Sequence, residues 1–152
     1  MIAGGHGEAN PNTSWLDSRG FWLAYILGML FVHLILLSIP FVSIYFAWTI
    51  TNVLHNLAHL YFLHCIKGAP WLSTNTSSER RYTHWEQINN GQQWTETRKF
   101  LIIAPIVIFL LTCFYTKNDV GHFAVNFLSL IVVLIPKLPQ FHGVRLFGIN
   151  KY

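Results

Sequence analysis

An apolar run over residues 41–66, FVSIYFAWTITNVLHNLAHLYFLHCI, constrains this fold most, because it holds no Asp, Glu, Lys or Arg. As a helix it is long enough to cross a bilayer. Yet it carries Asn52, His55, Asn56, His59 and His64. At about 100° per residue the first four fall within an arc of roughly 100° on one helix face, and His64 lies off it. Polar groups are costly in hydrocarbon without partners, so this stripe must face other helices or a cavity. One reading of Asn52, His55, Asn56 and His59 is a ligand or metal site. The other, preferred because nothing in the stripe is acidic, is a set of interhelical hydrogen bonds that holds a small bundle together.

The remaining chain fits a membrane protein. Only 11% of its 152 residues are charged, against about 25% in an ordinary soluble domain, and 53% are hydrophobic. The fold class expected is an all-α membrane protein with four transmembrane helices, at about 21–38, 43–66, 100–115 and 123–138. Pro40 sits in a tight uncharged turn between the first two, since it lacks the donor needed to continue a helix. Residues 1–20 read as a flexible cytosolic N-terminal segment, 67–99 as a cytosolic loop and 139–152 as a cytosolic tail. Within the loop, Thr83-His84-Trp85-Glu86 matches a capping box and starts a short helix that Gly91 ends. Trp85 and Ile88 on one side of that helix suit a position lying on the membrane surface. Thr95 is placed to cap the third span.

Four spans put both termini and the central loop on one side. That side carries Arg19, Lys67, Arg80, Arg81, Arg98, Lys99, Lys137, Arg145 and Lys151, against Lys117 alone on the other, so it is expected to be cytosolic. The sequons at Asn12 and Asn75 would then go unglycosylated. A net charge of +4 without a basic cluster suits anionic lipid and not nucleic acid.

A catalytic site is hard to assemble. The spacings His55-x-x-x-His59 and His59-x-x-x-x-His64 invite comparison with membrane di-iron hydroxylases and desaturases, the alternative function considered. Those enzymes use several histidine boxes, some with paired histidines. Here His6, His33, His84, His122 and His142 are scattered, no His-His pair occurs, and no carboxylate lies within a span. No cofactor and no metal are expected, and the chain reads as a non-enzyme.

Specific strings carry a family resemblance. Asn10-Pro11-Asn12-Thr13, Ser18-Arg19-Gly20, LLSIPFVS from Leu36, Thr83-His84-Trp85-Glu86-Gln87, Arg98-Lys99-Phe100-Leu101, Phe114-Tyr115-Thr116-Lys117 and the C-terminal LIPKLPQFHGVRLFGINKY resemble the ORMDL (Orm) family over nearly the whole chain. The resemblance implies a non-catalytic subunit of the endoplasmic reticulum membrane that binds serine palmitoyltransferase and restrains sphingolipid synthesis when ceramide is plentiful. It implies that Asn12 helps recognise ceramide. On the topology above, Phe62 and His84 lie on the same side and join it. It also places the N-terminal segment Met1, Ile2, Ala3, Gly4 and Gly5, which has no charged side chain, at the enzyme's substrate entrance as an inhibitory segment.

Overall fold

The computed structural model describes residues 10, 12–68 and 81–148. Met1, Ile2, Ala3, Gly4 and Gly5, Asn75 and most of the central loop lie outside the described residues. Among the described residues the regular structure is helical, with one isolated antiparallel bridge between Lys67 and Thr83. The principal helices are α1 (Phe21–Ser38), α2 (Ile44–His59), α3 (His84–Gln87), α4 (Glu96–Tyr115) and α5 (Val120–Leu134). Among the described residues three helical stretches are long and apolar enough to cross a membrane: Phe21–Ser38, Glu96–Tyr115 and Val120–Lys137.

α2 is the hub, packed against α1, α4 and α5. Ser43 caps its start, its hydroxyl accepting the amide of Phe46 at 3.3 Å. At Leu60 the helix widens into a π segment, Leu60–Cys65, which carries the chain on to Ile66. α2 is inside-out by the standard of a soluble protein. Its buried side chains are Ala47, Thr51, Asn52, His55, Asn56 and His59, while Leu54 and Leu57 are about half exposed, at 49% and 53%. A helix that turns its polar face inward and its leucines outward is stable only where the surroundings are apolar.

Two helices extend beyond the apolar spans read from the sequence, and a side-chain cap accounts for one of them. α5 begins at Val120 and not near residue 123, because the Asp119 carboxylate accepts the amides of Gly121 and His122 at 3.1 and 3.2 Å. α4 begins at Glu96, directly after Thr95 and one turn before the apolar run. The Thr95 hydroxyl, however, makes no cap bond and donates to Asn89 Oδ1 at 2.8 Å.

The short helix departs from its expected surface position. Trp85 and Ile88 are 3% and 1% exposed and form a core cluster with Leu16, Leu63 and Leu101. Arg98, Lys137 and His64 surround the Trp85 ring, with the Arg98 guanidinium carbon 4.8 Å and Lys137 Nζ 5.7 Å from its centroid. The helix thus plugs one end of the bundle and does not lie along it. The segment after residue 138 is also tied in: Arg145 grips the Glu86 carboxylate through two bonds of 2.6 and 2.8 Å, and the Gly143 amide donates to the same carboxylate at 3.1 Å.

Candidate functional site

Two polar assemblies are built from the residues singled out in the sequence. The first is the stripe. Asn52 donates from Nδ2 to Asn126 Oδ1 at 2.8 Å, and Asn126 donates to Thr49 Oγ1 and to the His122 carbonyl at 3.1 and 2.7 Å. Asn56 donates to Ser129 Oγ at 2.9 Å. These bonds join α2 to α5. On the opposite flank the Tyr25 hydroxyl of α1 lies between Nε2 of His55 and Nε2 of His59, the latter at 2.5 Å. A phenol has one proton, so one ring nitrogen accepts it while the other donates to the phenol oxygen. In a bilayer such bonds contribute about 0.6 kcal/mol each on average. The sequence shows Asn126 inside the expected fourth span, but nothing there marks Tyr25 as a partner of the stripe. Only Asn126, a lone amide in an apolar run, left a visible signal. Among the described residues no three of the His, Cys, Asp and Glu side chains are grouped so as to hold a metal ion.

The second assembly is the platform around α3. The capping box forms: Thr83 Oγ1 accepts the Glu86 amide at 3.4 Å, and Glu86 Oε2 accepts the Thr83 amide at 2.9 Å. Burial by itself would raise the Glu86 pKa, but hydrogen bonds from Arg145 and from the Thr83 amide, with the charge of Arg145, hold it below the usual value. The helix ends at Gln87. Ile88 takes an extended ψ, and Asn89, Asn90 and Gly91 follow at φ of 49°, 55° and 81°, the left-handed region that asparagine and glycine tolerate.

Gln87, fully buried, reads the N-terminal segment. Its Oε1 accepts from Asn10 Nδ2 at 3.1 Å and from Asn12 Nδ2 at 3.0 Å, while its own Nε2 donates to the Tyr82 carbonyl at 3.1 Å. The two asparagines divide the work. Asn10 makes the turn, its Oδ1 accepting the Asn12 amide at 3.0 Å. Asn12 is 0% exposed, its carbonyl accepts Trp15 Nε1 at 2.8 Å, and its Oδ1 is buried without a hydrogen-bond partner.

His84 sits one helical turn before Gln87 on the same short helix and is 3% exposed, its ring 6.0 Å from that of Trp15. Burial lowers its pKa to about 4. Phe62 stands apart on the π segment, 54% exposed, beside Leu63, whose side chain joins the cluster that includes Trp85. The platform therefore holds Asn12, through Gln87, and His84, through the ring of Trp15, whereas the Phe62 ring packs edge-on against Tyr61. Glu86 is legible in the sequence as the capping-box residue, but its pairing with Arg145 and the roles of Gln87 and Arg98 are not, because those partners lie on other segments.

Comparison with known proteins accounts for the strings in this platform. The profile of the ORMDL family matches residues 10–145. The chain is 72% identical over 151 residues to "ORM1-like protein" of Drosophila melanogaster, covering 99% of this chain and 98% of that one. It is 58% identical over 147 residues to "ORM1-like protein 2" of Homo sapiens, and 55% identical over 147 residues to "ORM1-like protein 3" of Homo sapiens, each match covering 97% of this chain and 96% of the other.

Proposed function

The chain belongs to the ORMDL family, and from that premise we propose that it is a non-catalytic regulatory subunit that binds serine palmitoyltransferase and inhibits it in response to ceramide. In this reading it lies in the endoplasmic reticulum membrane with four crossings: α1, α2 continued through its π segment, α4 and α5. Both termini and the α3 platform face the cytosol. The segment Met1, Ile2, Ala3, Gly4 and Gly5, which has no charged side chain, enters the enzyme's lipid-substrate tunnel, where a charged side chain would be costly.

The observation that carries the ceramide part is Asn12. Its position is held by Gln87, it shares the platform with His84, and its Oδ1 is an acceptor without a partner. Ceramide's head is uncharged and offers an amide N–H and two hydroxyls, each able to donate to such an acceptor. Phe62 lies against the lipid chain in the same reading.

The test is enzyme activity of the purified complex against added ceramide. Leaving a buried polar group of the lipid unpaired costs about 1–3 kcal/mol, so Asn12→Ala should shift the inhibition curve by roughly tenfold or more in ceramide while the complex still assembles. A chain lacking residues 1–7 should bind the enzyme but leave it active at every ceramide concentration. Superimposable curves for intact and Asn12→Ala complexes would reduce Asn12 to a packing residue. Full inhibition by the truncated chain would remove the N-terminal segment from the mechanism.

A further inference from the structure

A lateral groove lies in the side of the bundle, away from the α3 platform. The groove, of about 400 Å³, runs between α1, α2 and α4. Tyr25, Met29 and His33 line it from α1, Trp48 and Thr51 from α2, and residues from Phe100 to Leu111 from α4. Its rim residues Ile26, Leu30 and Ile103 are each half exposed or more, so the groove opens sideways, where the bilayer would lie. The volume falls in the range of small-molecule pockets.

One fully buried polar atom in this apolar lining lacks a partner. His33 is 7% exposed, and its Nε2 is buried with no hydrogen bond. The state of that nitrogen follows from its neighbours. The Thr51 hydroxyl donates its single proton to the Ala47 carbonyl at 2.8 Å. Toward Nδ1 of His33, also 2.8 Å away, Thr51 can therefore only accept, so Nδ1 carries the ring proton. In the neutral ring Nε2 is then a bare acceptor. An unmatched acceptor in a dry apolar groove calls for a ligand that donates one hydrogen bond and is otherwise apolar.

We propose that this groove binds a sterol whose single hydroxyl donates to Nε2 of His33. A sterol has one donor at one end of a rigid apolar body, and this groove has one unmatched acceptor near one end of an apolar slot. The depth agrees. His33 lies five residues before the end of α1, about 7–8 Å along the axis, so the hydroxyl would sit just below the headgroups at that end. From there the ring system would run toward Tyr25 and Phe100. The Tyr25 hydroxyl is committed to His55 and His59, so that end presents an aromatic ring and no free donor. Ceramide and diacylglycerol each bring more polar groups than this lining can match. The proposal needs only that the apolar helices lie in a bilayer. It is independent of the regulatory reading and is tested without the enzyme.

The experiment uses the full-length chain in phosphatidylcholine nanodiscs with a photoactivatable cholesterol, adducts being mapped by mass spectrometry. Adducts are expected within residues 25–33 and 100–111 and should be displaced by unlabelled cholesterol. The 3-O-methyl ether of cholesterol, which keeps the shape but loses the donor, should compete about tenfold more weakly. His33→Phe should lower labelling by a similar factor at an unchanged melting temperature. The methyl-ether comparison is made on the unaltered chain and so does not depend on that variant folding. Equal competition by the ether, adducts confined to other helices, or displacement by ceramide or diacylglycerol at lower concentrations than cholesterol would each overturn the proposal. A chain that fails to enter the nanodiscs would instead overturn the membrane placement on which it rests.

Discussion

Arg98→Met should lower the stability of the protein by about 2–4 kcal/mol and release α3 from the end of the bundle. Arg98 is 1% exposed, although it stands among charged residues at the head of α4. Helix α3 ends after one turn, which leaves carbonyls without intrahelical donors. Arg98 supplies them from 10 and 13 residues away: Nη2 donates to the Trp85 carbonyl at 2.7 Å and to the Ile88 carbonyl at 3.3 Å, and Nη1 donates to Gln93 Oε1 at 3.2 Å. Two opposing effects decide the outcome. Removing a guanidinium relieves the cost of burying it, and no carboxylate bonds it directly. Against that, two buried carbonyls lose their donor and the Trp85 face loses its nearer cation, at about 1–3 kcal/mol for each unsatisfied group. The second effect is larger because methionine fills the volume but donates nothing. Arg98→Lys should recover only part of the loss, since one ammonium does not reproduce the planar fork. The checks are the melting temperature and hydrogen exchange of residues 81–91. Unchanged melting and exchange in Arg98→Met would show that other groups cap this helix. On the proposed regulatory reading, the same variant should also blunt ceramide inhibition of the enzyme with Asn12 intact, because Gln87, which positions Asn12, rides on α3.

Acidification should loosen the same platform through His84, by up to about 3 kcal/mol between pH 6.5 and about 4. Burial holds the folded-state pKa near 4, below the ordinary 6.5. Between these values the unfolded chain takes up a proton that the folded one refuses, so folding is opposed more strongly at each step downward in pH. The contribution is fully present above pH 6.5 and is lost as pH falls toward 4. The Glu86–Arg145 clamp responds separately and lower. The depressed carboxylate keeps its contribution above its ordinary pKa and loses it only on further acidification. Hydrogen exchange of residues 81–91, corrected for its intrinsic pH dependence, should therefore rise between pH 7 and 5 in the natural chain. It should rise less in His84→Asn, which cannot titrate. An equal rise in both would assign the effect to another group.

The sequence by itself determined what local signals can carry. The charge-free, mostly apolar run of α1, the break at Pro40 and the capping box at Thr83 and Glu86 are all legible within a few residues, and each is present in the fold. The 100° arc likewise picked out Asn52, His55, Asn56 and His59 as one face, and all four are buried. What the tertiary structure alone decided is which groups meet across long stretches of chain. Asn10 and Asn12 meet Gln87 across 77 and 75 residues, and Glu86 meets Arg145 across 59. Arg98 and Lys137, counted in the sequence as surface charges that set orientation, are 1% and 2% exposed around Trp85. Nothing local distinguishes them from Lys99 or Lys151. A charge is tolerated inside only where packing brings carbonyls and an aromatic face to it, and that packing is a property of the assembled helices.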